Sequence, residues 1–166
     1  MPQNAEVISY YHLSGAMLAP GSTIMPGNWG RVVRAYGWQH NQALREMALE
    51  EARRARFPER PSRLDAAFVF LTLEEARNFR QNVAGFAQHI LYQVTLCDLG
   101  AISHVTDSRL CAPQGTFRHD WADIYWMDTE IQAAAMPGID WAAVTNQLRL
   151  REMLTLSPLR VEERLD

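Results

Sequence analysis

The chain has 166 residues, a length typical of one domain, and its 48% hydrophobic and 21% charged residues exclude a disordered protein. The formal net charge of −3 gives no general attraction to nucleic acid or to an anionic membrane. All sixteen cationic residues are arginine, which excludes chemistry that needs a lysine, such as a Schiff base or a Walker-type phosphate loop.

The lack of lysine has two explanations. One is a coding bias toward arginine; the other is escape from lysine-directed modification in a foreign cell, which would suit a secreted effector delivered into another cell. No apolar run approaches the roughly 20 residues that span a bilayer, and the N-terminus does not look like a signal peptide, so the default expectation is a cytoplasmic protein without a membrane partner. Cys97 and Cys111 lack CxxC spacing and are expected to be free thiols. The histidines show no ligand spacing, so no metal site is expected.

The first predicted element is a strand over "EVISYYHL", residues 6–13, which alternates and is rich in aromatic and β-branched residues. Alternation places Tyr10 and His12 on one face, and Tyr11 and Leu13 on the other. The segment "SGAMLAPGSTIMPGNWG" follows, with two Pro-Gly pairs, and indicates a long loop. Loops of this length in compact domains are often functional.

From about His40 to Arg56 the pattern predicts a helix with glutamate and arginine on one side. Its apolar stripe comprises Leu44, Met47, Ala48, Ala52 and Ala55. The segment "RRARFPERPSR" then holds five arginines and one acid. It has two interpretations: a solvated helix end, or a clamp for phosphate or pyrophosphate that includes Arg63.

"AAFVFL" predicts a strand buried on both faces, and Thr72 with Glu75 three residues later predicts a capped helix. "HILYQVTL" predicts the next strand. A short edge strand is expected before Asp107, and helical patterns lie near Trp121 and Trp141.

The last predicted strand, "LRLREMLTLSP", places Glu152 on the same face as Leu150 and Leu154. An acid on an apolar face either pairs with an arginine, marks a frayed strand end, or lines a cleft where it has a chemical role. Strands and helices are interspersed without regular βαβ repetition, so residues 1–166 are expected to form a single mixed α+β domain.

Several of these segments resemble the ADP-ribosyltransferase superfamily, and most closely its small bacterial members such as the rifampicin-modifying enzymes. "YYHLSGAMLAPGSTIMPG" is similar to the family's opening strand and loop, with Tyr11, His12 and Ser14 at its Tyr, His and Thr positions and Leu13 in place of a glycine. "AAFVFLTLEEARNF", "ILYQVTLCDLGAISHVTDSRL" and "REMLTLSPLRV" resemble its later motifs.

The resemblance implies a compact fold with a split central β-sheet and flanking helices. It also implies a glycosyltransferase-class reaction: cleavage of the nicotinamide–ribose bond of NAD, a co-substrate, through an oxocarbenium-like transition state. ADP-ribose would pass to an acceptor, as in a toxin or an antibiotic-modifying enzyme. By resemblance, His12 and Ser14 would bind the ribose and the nicotinamide amide, Phe70 or Phe68 would stack on nicotinamide, and Arg63 would contact the pyrophosphate.

Two residues compete for the catalytic acid that the resemblance implies. Many members carry a glutamate on the late strand, which corresponds to Glu152, and its place on an apolar face favours it. The rifampicin-modifying enzymes place the acid after the third strand, which corresponds to Asp107. The alternatives to a transferase are a non-catalytic protein-binding module and an RNA 2′-phosphotransferase on the same fold. The acceptor, whether protein, nucleic acid or small molecule, is not indicated by any motif.

Overall fold

The structure, a computed structural model, describes residues 8–111, 120–128 and 150–166. These residues form a mixed α and β domain of seven strands and four α-helices. The strands are β1 (Tyr10–Ser14), β2 (Thr23–Ile24), β3 (Ala67–Phe70), β4 (Ile90–Leu96), β5 (Ser103–Asp107), β6 (Arg151–Thr155) and β7 (Leu159–Arg164). The helices are α1 (Asn28–Tyr36), α2 (Ala43–Arg56), α3 (Leu73–Asn82) and α4 (Trp121–Trp126). Short 3-10 turns cover Gly37–Gln39 and Ser108–Cys111.

The described strands form one sheet in the order β2-β7-β4-β1-β3-β6-β5, and every pairing is antiparallel. The split that the resemblance implies for the central sheet does not separate the described strands, which stay joined through one narrow seam. At that seam β1 and β3 share one register pair, Tyr11 opposite Phe70, whereas β1 and β4 share five.

The sheet must curl strongly, because β6 and β7 are consecutive in the chain but four positions apart in the strand order. Four strand spacings in a flat sheet measure about 19 Å. The chain from Thr155 to Leu159 reaches at most about 14 Å even when fully extended. The two halves of the sheet therefore turn toward each other. One core cluster fills the face between them and includes Val69 and Met153 from one half and Val94 and Val161 from the other.

The opposite face of the sheet is covered by helices. Helix α3 packs over β1, where Ala76 joins Leu13 and Phe70, and helices α2 and α4 pack over β6, where Leu49 and Trp126 join Leu154. The predicted cap of α3 is confirmed: Thr72 is the N-cap, and its hydroxyl oxygen accepts the Glu75 N–H at 3.2 Å.

The predicted apolar stripe of α2 is confirmed only at Ala52, which is buried. Leu44 and Met47 are exposed, and the buried face carries Glu46, Leu49 and Glu50. The acids turn inward because arginines from the next segment meet them there. Helix α1 was not predicted. Its Gly30 permits close packing, since a Cβ at that position would stand 1.9 Å from the carbonyl oxygen of Leu64.

Some predictions fall on residues that the structure does not describe. These are residues 6–7 of the first strand, the helical pattern around Trp141, and residues 148–149 of the last strand. The short edge strand before Asp107 is confirmed, since β5 ends at Asp107 and lies at the end of the strand order.

Candidate functional site

The strand register decides which candidate residues share a face of the sheet. Tyr11 is opposite Phe70, Phe70 is opposite Glu152, and Glu152 is opposite Thr106. Residues directly opposite in a sheet point to the same face, and successive residues alternate. His12 and Asp107, each one position beyond a member of this row, therefore point to the other face. His12 and Glu152, to which the family resemblance gives roles in the same NAD reaction, therefore lie on opposite faces of the sheet.

Glu152 lies in a buried cluster of charged groups, defined by Glu46, Arg63, Tyr125 and Glu152. Its Oε1 accepts hydrogen bonds from Arg63 Nη1 and from the Tyr125 hydroxyl, both at 2.8 Å. The guanidinium of Arg63 also donates to both carboxylate oxygens of Glu46, at 3.0 and 3.4 Å. Glu152 is 5% exposed and Arg63 6%. Of the three explanations for Glu152, pairing with an arginine is the one observed.

Arg63, together with Arg45 beside Glu46, offsets the negative charge of the two carboxylates in this cluster. Burial alone would lower the pKa of Arg63, but the Tyr125 oxygen and the carboxylates of Glu46 and Glu152 outweigh burial and raise it well above its ordinary value. Burial would raise the pKa of Glu46, but Arg63 and Arg45 lower it instead. Arg63 and Glu46 therefore favour each other's charged form, and the four side chains join α2, β6, α4 and the segment before β3.

The arginine-rich segment does not form an open anion clamp. Each of its five guanidinium groups is paired with a carboxylate, and in every case at least one partner comes from outside the segment. Arg53 and Arg54 bind Glu50, Arg56 binds Asp123, Arg60 binds Asp128, and Arg63 binds Glu46 and Glu152. The interpretation of Arg63 as a pyrophosphate ligand is corrected on this ground, because its guanidinium is buried and bound to Glu46 and Glu152.

Phe70 is also in the interior. It is 4% exposed and packs beside Phe79, with ring centroids 4.9 Å apart, beneath α3. In this arrangement it offers no ring face to a nicotinamide. Phe68 is partly buried and lies under the Arg63 guanidinium, 4.9 Å from its ring centroid.

His12 has a fixed and informative hydrogen bond. Its Nδ1 lies 2.8 Å from the backbone carbonyl oxygen of Phe68, across the seam between β1 and β3. A carbonyl only accepts hydrogen bonds, so Nδ1 must carry the proton. Burial lowers the pKa of His12, and a neighbouring His89 lowers it further, so the ring is neutral at neutral pH. In that tautomer Nε2 is an acceptor, and among the described residues it has no hydrogen-bond partner.

Ser14 lies two residues further along β1, on the same face as His12, at the start of the glycine- and proline-rich loop. Its hydroxyl oxygen accepts the Ala16 N–H at 3.1 Å. Tyr92, opposite His12 on β4, holds the same loop: its hydroxyl accepts the Leu18 N–H at 2.8 Å and donates to the Ala16 carbonyl. The loop is therefore anchored beside His12.

Asp107 ends β5 and points to the same face as His12, three strands away in the sheet order. It is 8% exposed. One of its carboxylate oxygens accepts the Arg109 backbone N–H at 3.0 Å and Arg109 Nε at 2.8 Å, and the other pairs with Arg109 Nη2.

Sequence reasoning did not single out Glu46, Tyr125 or His89. Glu46 falls on the side of its helix that was predicted to be polar, and Tyr125 falls in the helical pattern near Trp121. The sequence signal that comes nearest to indicating Glu46 is the excess of arginines over acids in residues 53–63. These arginines need carboxylate partners from other parts of the chain.

The chain belongs to the family described as protein of unknown function (DUF2441), which matches residues 11–136. No curated protein matches the chain. In the described part of the chain no helix has the length and apolar character needed to cross a membrane, and no group of three or more His, Cys, Asp or Glu side chains there could hold a metal ion.

Proposed function

We propose that this protein is an NAD-dependent ADP-ribosyltransferase, which cleaves the nicotinamide–ribose bond and passes ADP-ribose to an acceptor. The observation that carries the proposal is the state of His12: neutral, held through Nδ1, and with Nε2 unpartnered among the described residues. Such a nitrogen is suited to accept a hydrogen bond from a ribose hydroxyl. The sequence resemblance gives a histidine at this position the same task.

We assign the catalytic acid to Asp107 rather than Glu152. Asp107 shares the His12 face of the sheet, whereas Glu152 lies on the opposite face. A carboxylate near the ribose stabilises the positive charge that develops on the oxocarbenium-like transition state, and it does so more strongly in a site with little water. The curl of the sheet turns the Asp107 face inward, toward the half of the sheet that holds His12.

The alternatives are less well supported. An RNA 2′-phosphotransferase needs several basic residues that converge on a phosphate, and the arginines of residues 53–63 are bound to carboxylates. A protein-binding module on the same fold requires no NAD binding at all, so a direct NAD titration separates it from the transferase.

The proposal is tested with His12→Asn. The shorter amide can still donate to the Phe68 carbonyl but removes Nε2, so we expect a folded protein whose NAD cleavage falls by about 10²-fold or more. Single-turnover cleavage of NAD measures the rate, and His40→Asn, which changes a histidine near α1, is the matched control. Full turnover in folded His12→Asn would overturn the proposal, as would a wild-type protein that neither binds nor cleaves NAD.

The acid is tested with two charge-removing variants in the same assay. Asp107→Asn should lower the single-turnover rate by roughly 10²–10³-fold. Glu152→Gln should cleave NAD at the wild-type rate once the rate is expressed per folded molecule. The reverse pattern would return the role to Glu152. Mass spectrometry of lysate incubated with the protein and NAD would then identify the acceptor from its ADP-ribose adduct.

A further inference from the structure

An open groove lies where the end of α3, the start of β4 and the end of β7 meet. Its volume is about 410 Å³, and its lining includes Arg80, His89, Ile90, Arg164 and Asp166. Among the described residues that line it, two arginines face a single acid. This groove is separate from the buried cluster of Glu46, Arg63, Tyr125 and Glu152, called the Arg63 cluster below. The groove lies at β4 and β7, whereas the Arg63 cluster lies at β6, in the other half of the sheet.

The chain's own Asp166 side chain shows what the groove binds. One carboxylate oxygen accepts the backbone N–H of Leu91 at 2.9 Å, and the other pairs with Arg80 Nη1. Arg164 Nε donates to the Asp166 backbone carbonyl. A backbone N–H and a guanidinium that converge on one anion are the usual elements of a phosphate or carboxylate site.

The Asp166 side chain is bound loosely enough to be displaced. Its carboxylate side chain is 35% exposed and that of Arg80 is 21% exposed. Solvent that reaches both partners weakens their attraction, so another anion can compete for the guanidinium. A phosphate group carries more charge and more acceptor oxygens than a carboxylate, so it competes for the same donors.

His89 adds a polar side chain to the groove, and one of its ring nitrogens makes no hydrogen bond among the described residues. Its Nδ1 is buried and has no hydrogen-bond partner among the described residues. Buried polar atoms are nearly always hydrogen-bonded in native proteins, so this nitrogen is available to hydrogen-bond a ligand that enters the groove. The other ring nitrogen faces the loop after β1, where a Cβ at Gly15 would stand 3.7 Å from it.

The groove adjoins the residues assigned to the reaction. Ile90, which lines it, is opposite Ser14 in the β1–β4 pair, and His89 is close enough to His12 to interact with it electrostatically. We propose that the groove formed by Arg80, His89, the Leu91 N–H and Arg164 is a pyrophosphate-binding site, occupied by the Asp166 carboxylate when no ligand is bound. The assignment of the pyrophosphate to NAD rests on the proposed function. The existence of an anion site in this groove does not depend on the proposed function.

Inorganic pyrophosphate is the probe, and amide NMR of the full chain is the measurement. We expect a saturable shift of the Leu91 amide signal. Arg80→Gln should weaken the apparent affinity by about tenfold or more, because it removes a charged hydrogen-bond donor. Asp166→Asn should tighten it by about two- to fivefold, because it removes the internal competitor. Arg77→Gln, which removes an equal charge from an exposed position on α3, should leave the affinity unchanged.

Two results would overturn the site: no response of the Leu91 amide to millimolar pyrophosphate, or equal affinity in the wild type and Arg80→Gln. NAD assays on the same variants separate this inference from the proposed function. Pyrophosphate binding without NAD cleavage would refute the transferase and keep the anion site. NAD cleavage that depends on His12 but not on Arg80, with no pyrophosphate binding, would keep the transferase and refute the anion site.

Discussion

His12 and His104 both have a lowered pKa, yet they lie on opposite faces of the sheet and in different surroundings. His104 is opposite Leu154 and faces the helices. It is 3% exposed and stacks on Trp126, with ring centroids 5.8 Å apart. Burial, with a smaller contribution from Arg60, lowers the pKa of His104 to about 4. A histidine in this state packs as a neutral aromatic ring, whereas His12 keeps one ring nitrogen unpartnered among the described residues.

The lowered pKa of His104 predicts a loss of stability in acid. Above pH 6.5 the ring is neutral in both the folded and unfolded chains, so it has no effect. As the pH falls toward 4, His104 becomes protonated in the unfolded chain but stays largely neutral in the folded chain. This difference lowers the free energy of unfolding by roughly 3 kcal/mol. Urea unfolding at a series of pH values measures this loss.

The matched comparison is His104→Gln, which cannot titrate. Carboxylates titrate over the same range in both proteins, so the difference between the two profiles isolates the histidine. The gap between the wild type and His104→Gln should change by the stated amount between pH 6.5 and 4. Parallel profiles would contradict the buried neutral state of His104.

At the scale of elements, local contacts were predictable and distant ones were not. The cap of α3 depends on Thr72 and Glu75, three residues apart, and the sequence pattern alone predicts it. The alternation that places Glu152 beside Leu154 is also local, and the register confirms it. The contact between Arg63 and Glu152 joins residues 89 positions apart, and no local pattern encodes such a partner.

The same limit explains the two main errors about the candidate site. Period-two alternation assigns faces within one strand, but only the pairing of β1 with β3 and of β3 with β6 relates the face of His12 to that of Glu152. The inward turn of Glu46 likewise depends on Arg63, 17 residues away. If acids are assumed to face water, the helical pattern predicts that the side of α2 away from Glu46 and Glu50 is buried, whereas the side that carries these acids is the buried one.

The Arg63 cluster predicts unequal effects for its members. Arg63→Met leaves the buried carboxylates of Glu46 and Glu152 without their shared cation and should lower the free energy of unfolding by about 3–5 kcal/mol. Glu152→Gln leaves Arg63 paired with Glu46, and its amide oxygen can accept both hydrogen bonds, so the loss should be only about 1–2 kcal/mol. The double variant should be more stable than the sum of the two losses predicts, by at least about 1 kcal/mol.

Urea unfolding of the three variants completes this cycle. Arg34→Met is the control, because Arg34 and Asp65 form an ion pair whose side chains are 58% and 59% exposed. That change should stay within about 0.5 kcal/mol. A Glu152→Gln protein that is more stable than the wild type and slower in NAD cleavage would show that Glu152 is a strained catalytic acid instead of a member of a balanced cluster.

At the scale of the whole molecule, the curl of the sheet gives the domain one continuous interior. The link between β6 and β7 is held tightly: Ser157 is fully buried, its hydroxyl oxygen accepts the Asp98 N–H at 2.9 Å, and its own N–H donates to Thr155 Oγ1 at 3.1 Å. Because this corner draws the halves together, Met153 of β6 and Val161 of β7 belong to the same core cluster. In a flat sheet the two strands would stand about 19 Å apart and their side chains could not interact.

The curl therefore predicts that Met153 and Val161 are energetically coupled. Met153→Ala and Val161→Ala each create a cavity in the shared interior, and surrounding residues that relax around one cavity respond differently when both are present. The free energies of unfolding, measured in urea, should deviate from additivity in the double variant by about 0.5 kcal/mol or more. Leu13→Ala provides the control, because Leu13 packs beneath α3 on the other face of the sheet and should add to Met153→Ala within about 0.5 kcal/mol. Additive losses for both pairs would mean that the two halves of the sheet do not share a core, and the inward-facing position assigned to Asp107 would lose its basis.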